Sequence, residues 1–91
     1  MTKFLAVHRL PAPATVEEAT PLGKKAKANA TVDAYWVRSW CQLNKEGKIV
    51  KILCEWNAVN MEAVRKVIAR VPEMPLEGIY PMIVVDPEDF R

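Results

Sequence analysis

Few side chains in this 91-residue sequence could carry out chemistry. His8 is the only histidine, and it could serve as a general base, a metal ligand or a pH sensor. Cys41 and Cys54 are the only cysteines, and all three tryptophans lie near them, between positions 34 and 57. Because a metal centre needs several converging nitrogen, oxygen or sulfur ligands, a buried, hydrogen-bonded histidine is the competing interpretation of His8.

The stretch from Ala34 to Asn57 is predicted to be a β-hairpin. Its arms are rich in aromatic and β-branched residues, and the segment Asn44-Lys45-Glu46-Gly47 joins them. If Leu43 lies opposite Lys48 and no bulge intervenes, both cysteines lie on an apolar face that packs under helices. In that register the cysteines are four residues out of step, on the order of 13 Å along a strand, which is too far for a disulfide.

The opposite face of the hairpin alternates large aromatic side chains with charged ones, unlike a buried core. In the same register this face carries Trp36, Arg38, Trp40, Lys51 and Glu55. Two exposed tryptophans form an apolar patch that a monomer rarely leaves bare. A subunit interface, a ligand-binding cleft and an ordinary solvated face are the three interpretations of this composition. The arginine would hold an anion or anchor an interface, and the tryptophans would stack or pack.

Two further strands are predicted outside the hairpin. The first is Lys3–Leu10, which ends before Pro11 and has apolar residues on both sides, as a central strand does. The second is Ile79–Asp86, in which Pro81 favours an edge strand because proline cannot donate to a neighbouring strand.

Two helices are predicted from apolar periodicity and from capping residues. The first, from Thr15 to about Ala30, starts with a Thr15–Glu18 capping-box pattern. Pro21 indicates a bent or two-piece helix, or a later start with Thr20 as the cap. The second, Asn60–Val71, carries its apolar residues along one stripe and ends before a proline.

The resulting order, β-α-β-β-α-β, predicts one domain over residues 1–91. Right-handed crossovers turn this order into an α+β ferredoxin-like sandwich, a four-stranded antiparallel sheet with two helices on one face. The other face of the sheet is left uncovered by its own chain. We expect the side that carries Trp36, Arg38 and Trp40 to be this uncovered face.

Composition argues against several classes of function. A net charge of +2 is too small to predict binding to nucleic acid or to an anionic membrane, and no apolar run approaches the length of a membrane span. The third strand also lacks the aromatic run of an RNA-recognition motif. Two reduced thiols and the absence of a signal peptide favour a cytoplasmic protein.

Several segments resemble a family of small ferredoxin-like proteins, mostly of unknown function, that includes nickel-binding members. The segment Trp36–Trp40 is similar to the family's W-[LV]-R-S-[YW] strand, and Lys51–Ala58 to its K-x-F-C-x-Y-E-A strand. Glu62–Arg65 matches its E-A-V-R helix, and Val7–Pro11 resembles its V-H-R-x-x-P motif with a shorter spacing.

This resemblance implies a dimeric subunit related to the dimeric α/β-barrel proteins, some of which are cofactor-free monooxygenases or isomerases. The nickel-binding members carry further histidines on both helices and an aspartate two residues before the first-strand histidine. Here Ala6 stands at that position and neither helix contains a histidine, so His8 is the one metal ligand that the resemblance supplies.

The sequence therefore predicts a homodimer, joined through the open sheet face, that binds a small molecule or a metal ion. The candidate ligand-binding residues are His8, Trp36, Arg38, Trp40 and Glu55, with His8 as the candidate metal ligand. No cofactor is identified. The alternative is a cofactor-independent monooxygenase or isomerase that uses His8 as acid and base, which predicts a pocket lined by both His8 and Arg38.

Overall fold

Four strands and two helices follow one another in the predicted order. The computed structural model describes residues 1–90, and Arg91 lies outside the described residues. The elements are β1 (Thr2–Ala14), α1 (Val16–Asn29), β2 (Ala34–Leu43), β3 (Ile49–Ala58), α2 (Met61–Ala69), β4 (Gly78–Met82) and a short 3-10 turn (Pro87–Phe90). The strands form one antiparallel sheet in the order β2-β3-β1-β4. The α+β ferredoxin-like prediction is confirmed, with β1 as a central strand.

Both helices start at the predicted caps. The Thr15 side chain accepts a hydrogen bond from the Glu18 backbone N–H, and the Glu18 carboxylate accepts one from the Thr15 backbone N–H. The helix is continuous through Pro21, so the two-piece alternative is wrong. The later start at Thr20 is also wrong, because the capping box at Thr15 fixes the start upstream of the proline. Asn60 caps α2 by accepting a hydrogen bond from the Ala63 backbone N–H at 2.9 Å.

Strand β1 extends four residues beyond the predicted Leu10. It passes through Pro11 and Pro13 because its regular pairing with β3 breaks between Arg9 and Ala14, where the prolines have no ladder hydrogen bond to donate. At the other end of the sheet β4 ends at Met82, earlier than the predicted Asp86, and Pro81 lies in this edge strand as expected.

The predicted hairpin register is wrong, because Leu43 lies opposite Ile49 and not Lys48. The register also shifts twice, between Gln42 and Leu43 and at a β-bulge at Val37. Trp36 lies opposite Trp56 on one side of the bulge, and Arg38 lies opposite Glu55 on the other. Because side chains alternate between faces, the extra residue turns Trp36 onto the helix-covered face while Arg38 stays on the uncovered face. The prediction that Trp36 lies on the uncovered face is therefore wrong.

The core lies between the helices and one face of the sheet, which we call the helix face. Trp56 is 2% exposed there, and its ring stacks on that of Trp36 with centroids 6.2 Å apart and planes inclined by 22°. Val64 and Val67 of α2 are fully buried in the same cluster. We call the opposite side of the sheet the open face, since neither helix packs on it.

Candidate functional site

The open face brings together aromatic, charged and apolar side chains from all four strands. Its central row contains Arg38 on β2, opposite Glu55 on β3, which lies opposite Leu5 on β1. Trp40 is the next open-face residue along β2 and is 53% exposed. Three predicted site residues, Arg38, Trp40 and Glu55, therefore share one surface.

Glu55 is the electrostatic centre of the open face. Although its side chain is only 11% exposed, its carboxylate forms ion pairs with Lys3 and with Arg38, the latter at 3.2 Å from Nε to Oε1. Lys3 also donates a hydrogen bond to the Asn57 side-chain oxygen at 2.8 Å. Two cations thus flank one buried carboxylate, and this three-residue group carries one net positive charge.

A cavity of about 200 Å³ adjoins this charge cluster. Lys3, Glu55 and Trp40 form part of its wall, and Met82 with the following residues Ile83 and Val84 completes the apolar part. The sequence pattern did not single out Lys3 or this C-terminal apolar segment. The alternation of residues in β1 puts Lys3 and Leu5 on the same side of the strand, and this pattern could have indicated that Lys3 lies on the open face.

His8 lies on the helix face, away from the other predicted site residues. It pairs with Ile52 of the core across β1 and β3 and is only 1% exposed. The His8 Nδ1 lies 2.7 Å from the Pro75 carbonyl oxygen. Since a carbonyl oxygen can only accept, Nδ1 carries the proton, and Nε2 of the neutral ring presents its lone pair. Burial lowers the pKa of His8 below 6.5, and the hydrogen bond to Pro75 opposes this in part.

We expect acid to destabilise the fold through His8. Because the pKa of His8 is lower in the folded than in the unfolded chain, the unfolded chain takes up the proton first as the pH falls. The stabilisation is complete above the unfolded value of 6.5 and decreases below it, by at most about 1.4 kcal/mol per pH unit until the folded pKa is reached. Urea unfolding at a series of pH values measures this slope.

The matched control is His8→Asn, because an asparagine amide can donate to Pro75 in place of Nδ1 and does not titrate. As His8 is the only histidine in the chain, its replacement should flatten the slope just below pH 6.5. Equal slopes for the wild type and His8→Asn would contradict the assignment to His8.

The two cysteines share the helix face as predicted, but they are closer together than the predicted register allowed. Cys41 lies opposite Ile52, and Cys54 lies opposite Ser39, so the cysteines are diagonal neighbours offset by two residues. Cys54 is buried and Cys41 is exposed, and both thiols are free. Burial raises the pKa of Cys54 to about 11, which the hydrogen bond from Ser39 opposes and the nearby Cys41 thiol reinforces. Desolvation also raises the pKa of Cys41.

The predicted site residues do not form a single site. His8 and Trp36 lie on the helix face, whereas Arg38, Trp40 and Glu55 lie on the open face. A pocket lined by both His8 and Arg38, which the enzyme alternative required, is therefore ruled out within one chain. Within residues 1–90, no group of three or more histidine, cysteine, aspartate or glutamate side chains is placed to hold a metal ion.

A larger cavity, about 310 Å³, lies beside the start of α2, where the sequence indicated nothing. Asp33, Glu62, Lys66 and Arg70 contribute to its wall, so charges of both signs face it. Opposite charges in equal number favour no ligand class, and the open-face cavity remains the better candidate.

Comparison with known proteins places the chain in a family. A sequence profile described as nickel responsive protein SCO4226-like matches residues 4–82. The chain belongs to this family. This match confirms the family resemblance that was predicted from the sequence.

A solved relative supports the fold of this SCO4226-like chain. The crystal structure of SCO4226 from Streptomyces coelicolor A3(2) is similar to it with a TM-score of 0.73 and 18% sequence identity. The match covers 92% of this chain and 99% of the other. Among curated proteins, no match is found. None of the helices within residues 1–90 is long and apolar enough to cross a membrane.

Proposed function

We propose that this SCO4226-like chain forms a homodimer through the open face of its sheet and binds a small ligand between the paired sheets. The observation that carries the proposal is the half-exposed Trp40 beside the buried Glu55, at a cavity on the face that the helices leave uncovered. A second sheet on this face would close the cavity and shield the charges from water.

The apolar surface around the cavity supports pairing with a second copy. Its exposed apolar side chains are Trp40, Tyr80, Met82, Ile83 and Val84. Aromatic residues, methionine and arginine are enriched at the buried centres of interfaces, and contiguous apolar patches of this kind are seldom left in water. The edge strand β4 and the residues after it would thus be covered in the dimer.

The charges favour a ligand with one negative charge, such as a small carboxylate. Lys3 and Arg38 both point their charge at Glu55, and the side chain of Arg38 is still 64% exposed. An exposed guanidinium can bind a second carboxylate without losing its first partner. In the proposal Trp40 supplies the flat apolar surface beside that anion.

We also propose that the protein is located in a reducing compartment such as the cytoplasm. Both cysteines are free thiols, as is usual for proteins kept reduced by the cell.

Native mass spectrometry of the protein as purified, without added metal, tests the proposal. We expect a dimer that retains an organic mass. A bare monomer over the concentration range of the experiment would overturn the homodimer, and a dimer with no retained mass in any preparation would overturn the ligand site while leaving the interface intact.

Arg38→Gln and Arg65→Gln provide a matched pair for the ligand site. Arg38 is paired with Glu55, which lines the cavity, whereas Arg65 is paired with Glu62 on the surface of α2. We expect only Arg38→Gln to lose the retained mass. The same occupancy in both variants would contradict the role of Arg38 as the anion partner.

A nickel site at His8 is the second candidate, and membership in a nickel-responsive family favours it. The Nδ1–H of His8 donates to a backbone carbonyl, an arrangement that orients Nε2 in many metal-binding histidines. Because residues 1–90 provide no cluster of three ligands and His8 lies on the face opposite the proposed interface, water would have to complete the coordination.

Calorimetric titration with Ni²⁺ tests this second candidate. We expect His8→Asn to abolish the binding heat that the wild type shows. A wild-type protein that binds no Ni²⁺, or a His8→Asn variant that binds as tightly as the wild type, would eliminate His8 as a nickel ligand.

A further inference from the structure

Three sulfur-bearing side chains line a third cavity, a cleft on the helix face between α1 and the β2–β3 hairpin. They are Cys41, Cys54 and Met74, and we call this space, of about 170 Å³, the sulfur cleft. Its other walls are apolar or uncharged, with Ala19 and Gly23 of α1 along one side. The cleft is separate from the open-face cavity because it lies on the opposite side of the sheet.

A chain of hydrogen-bond donors ends at the buried sulfur of this cleft. The Trp36 Nε1–H donates to the Ser39 hydroxyl oxygen at 2.8 Å, and the Ser39 hydroxyl donates to the Cys54 sulfur at 3.0 Å. Donors aligned in this way stabilise negative charge on the sulfur that accepts the last hydrogen bond. The Val37 bulge, which turns Trp36 inward, is what makes this chain of donors possible.

The two cysteines are spaced for a shared ligand rather than for a disulfide. Diagonal neighbours on adjacent antiparallel strands have Cα atoms roughly 7–8 Å apart, beyond the usual span of a disulfide. A metal ion between two sulfurs bridges a longer distance than a direct sulfur–sulfur bond. Cys41 is exposed and Cys54 is buried, so an ion could enter at Cys41 and reach the interior.

We propose that the sulfur cleft binds a soft monovalent metal ion such as Cu(I), with the sulfurs of Cys41 and Cys54 as ligands and the Met74 thioether as a third. Thiolate and thioether ligands select Cu(I) over ions that prefer oxygen or nitrogen. Zinc takes four ligands in its structural sites, and the described residues 1–90 hold no cluster of three histidine, cysteine or acidic side chains.

Binding in this form releases two protons. Each thiol loses its proton as its sulfur bonds to the ion, so Cu(I) and two thiols give a dithiolate complex with one negative charge and two free protons. No oxidation or reduction takes place. Because ordinary cysteine thiols are protonated near neutral pH and two protons leave for each ion bound, the apparent affinity should rise with pH, by up to about 100-fold per unit.

An anaerobic titration tests the site, with Cu(I) presented by a coloured Cu(I) chelator that competes for the ion. We expect the wild type to take one ion per chain and Cys41→Ser to lose at least about 100-fold in affinity, more than is typical for loss of an outer-shell partner. Since Cys54 is buried, its replacement risks unfolding, so the exposed Cys41 carries the test. Ser39→Ala, which removes the last donor, should lose about tenfold.

Met74→Leu and Met82→Leu are the matched pair for the thioether. Met74 lines the sulfur cleft, whereas Met82 lies at the open-face cavity. We expect Met74→Leu to weaken Cu(I) binding and Met82→Leu to leave it unchanged. Wild-type protein that fails to compete for Cu(I), equal affinities in the wild type and Cys41→Ser, or an affinity independent of pH would each overturn the proposal.

Discussion

Replacing Trp40 with glutamate is expected to convert the proposed homodimer into a monomer. Trp40 is half exposed at the proposed centre of the open face, close to Glu55, so the new carboxylate would lie near an existing one. Loss of a central tryptophan costs about 2 kcal/mol or more at an interface, and a buried like charge adds to this. We expect the dimer to weaken by at least about 1,000-fold, equivalent to roughly 4 kcal/mol.

Sedimentation velocity over a range of protein concentrations measures this effect. Val32→Glu is the matched control, since Val32 is 88% exposed in the segment before β2 and lies off the open face. The control should sediment as the wild type does. Unchanged sedimentation of Trp40→Glu would remove the open face as the interface, and loss of the folded state in that variant would show that Trp40 stabilises the monomer instead.

The order of the elements could be predicted from the sequence because its signals are local. Thr15 and Asn60 mark the two helix starts through hydrogen bonds to residues three positions away. The alternation of residues in β2 likewise predicted that Arg38 and Trp40 share a face. Local patterns of this kind gave the architecture, the central position of β1 and the edge position of β4.

The register of the hairpin could not be predicted, because it depends on two inserted residues, Val37 in β2 and Val50 in β3. The bulge at Val37 is not marked by a glycine in the sequence, yet it determines whether the Trp36 side chain lies on the open face or in the core. In the structure the ring of Trp36 stacks on Trp56, and this buried contact favours the bulged register over the regular one. The pairing nearer the turn, where Leu43 lies opposite Ile49 and the register shifts between Gln42 and Leu43, brings Cys41 and Cys54 from four residues out of step to two.

The environment of His8 could not be predicted for a different reason. Its hydrogen-bond partner Pro75 is 67 residues away in the sequence, in the segment between α2 and β4. No periodicity or motif predicts which backbone carbonyl will lie beside a buried ring, because the distance between the two depends on the path of the segment across the sheet. The face on which His8 lies followed only once its register against β3 was known.

Trp56→Ala is expected to cause the largest loss of stability of any single change in the core. Trp56 is the largest of the fully buried side chains, lies opposite Phe4 on β1 and stacks on Trp36. Removing a buried tryptophan costs about 3–5 kcal/mol through lost packing and the cavity left behind. As domains of this size are stable by only about 5–15 kcal/mol, the variant should be near the limit of folding in urea titrations.

Trp56→Phe separates packing from hydrogen bonding. The Trp56 Nε1–H has no protein hydrogen-bond partner within residues 1–90, so phenylalanine should lose roughly 1–2 kcal/mol, through its smaller volume alone. Losses of equal size in the two variants would contradict a role based on packing. The ring of Trp56 stacks on that of Trp36, whose N–H donates to Ser39 beside the sulfur cleft. Because phenylalanine keeps an aromatic ring at this position, we expect Trp56→Phe to retain Cu(I) binding.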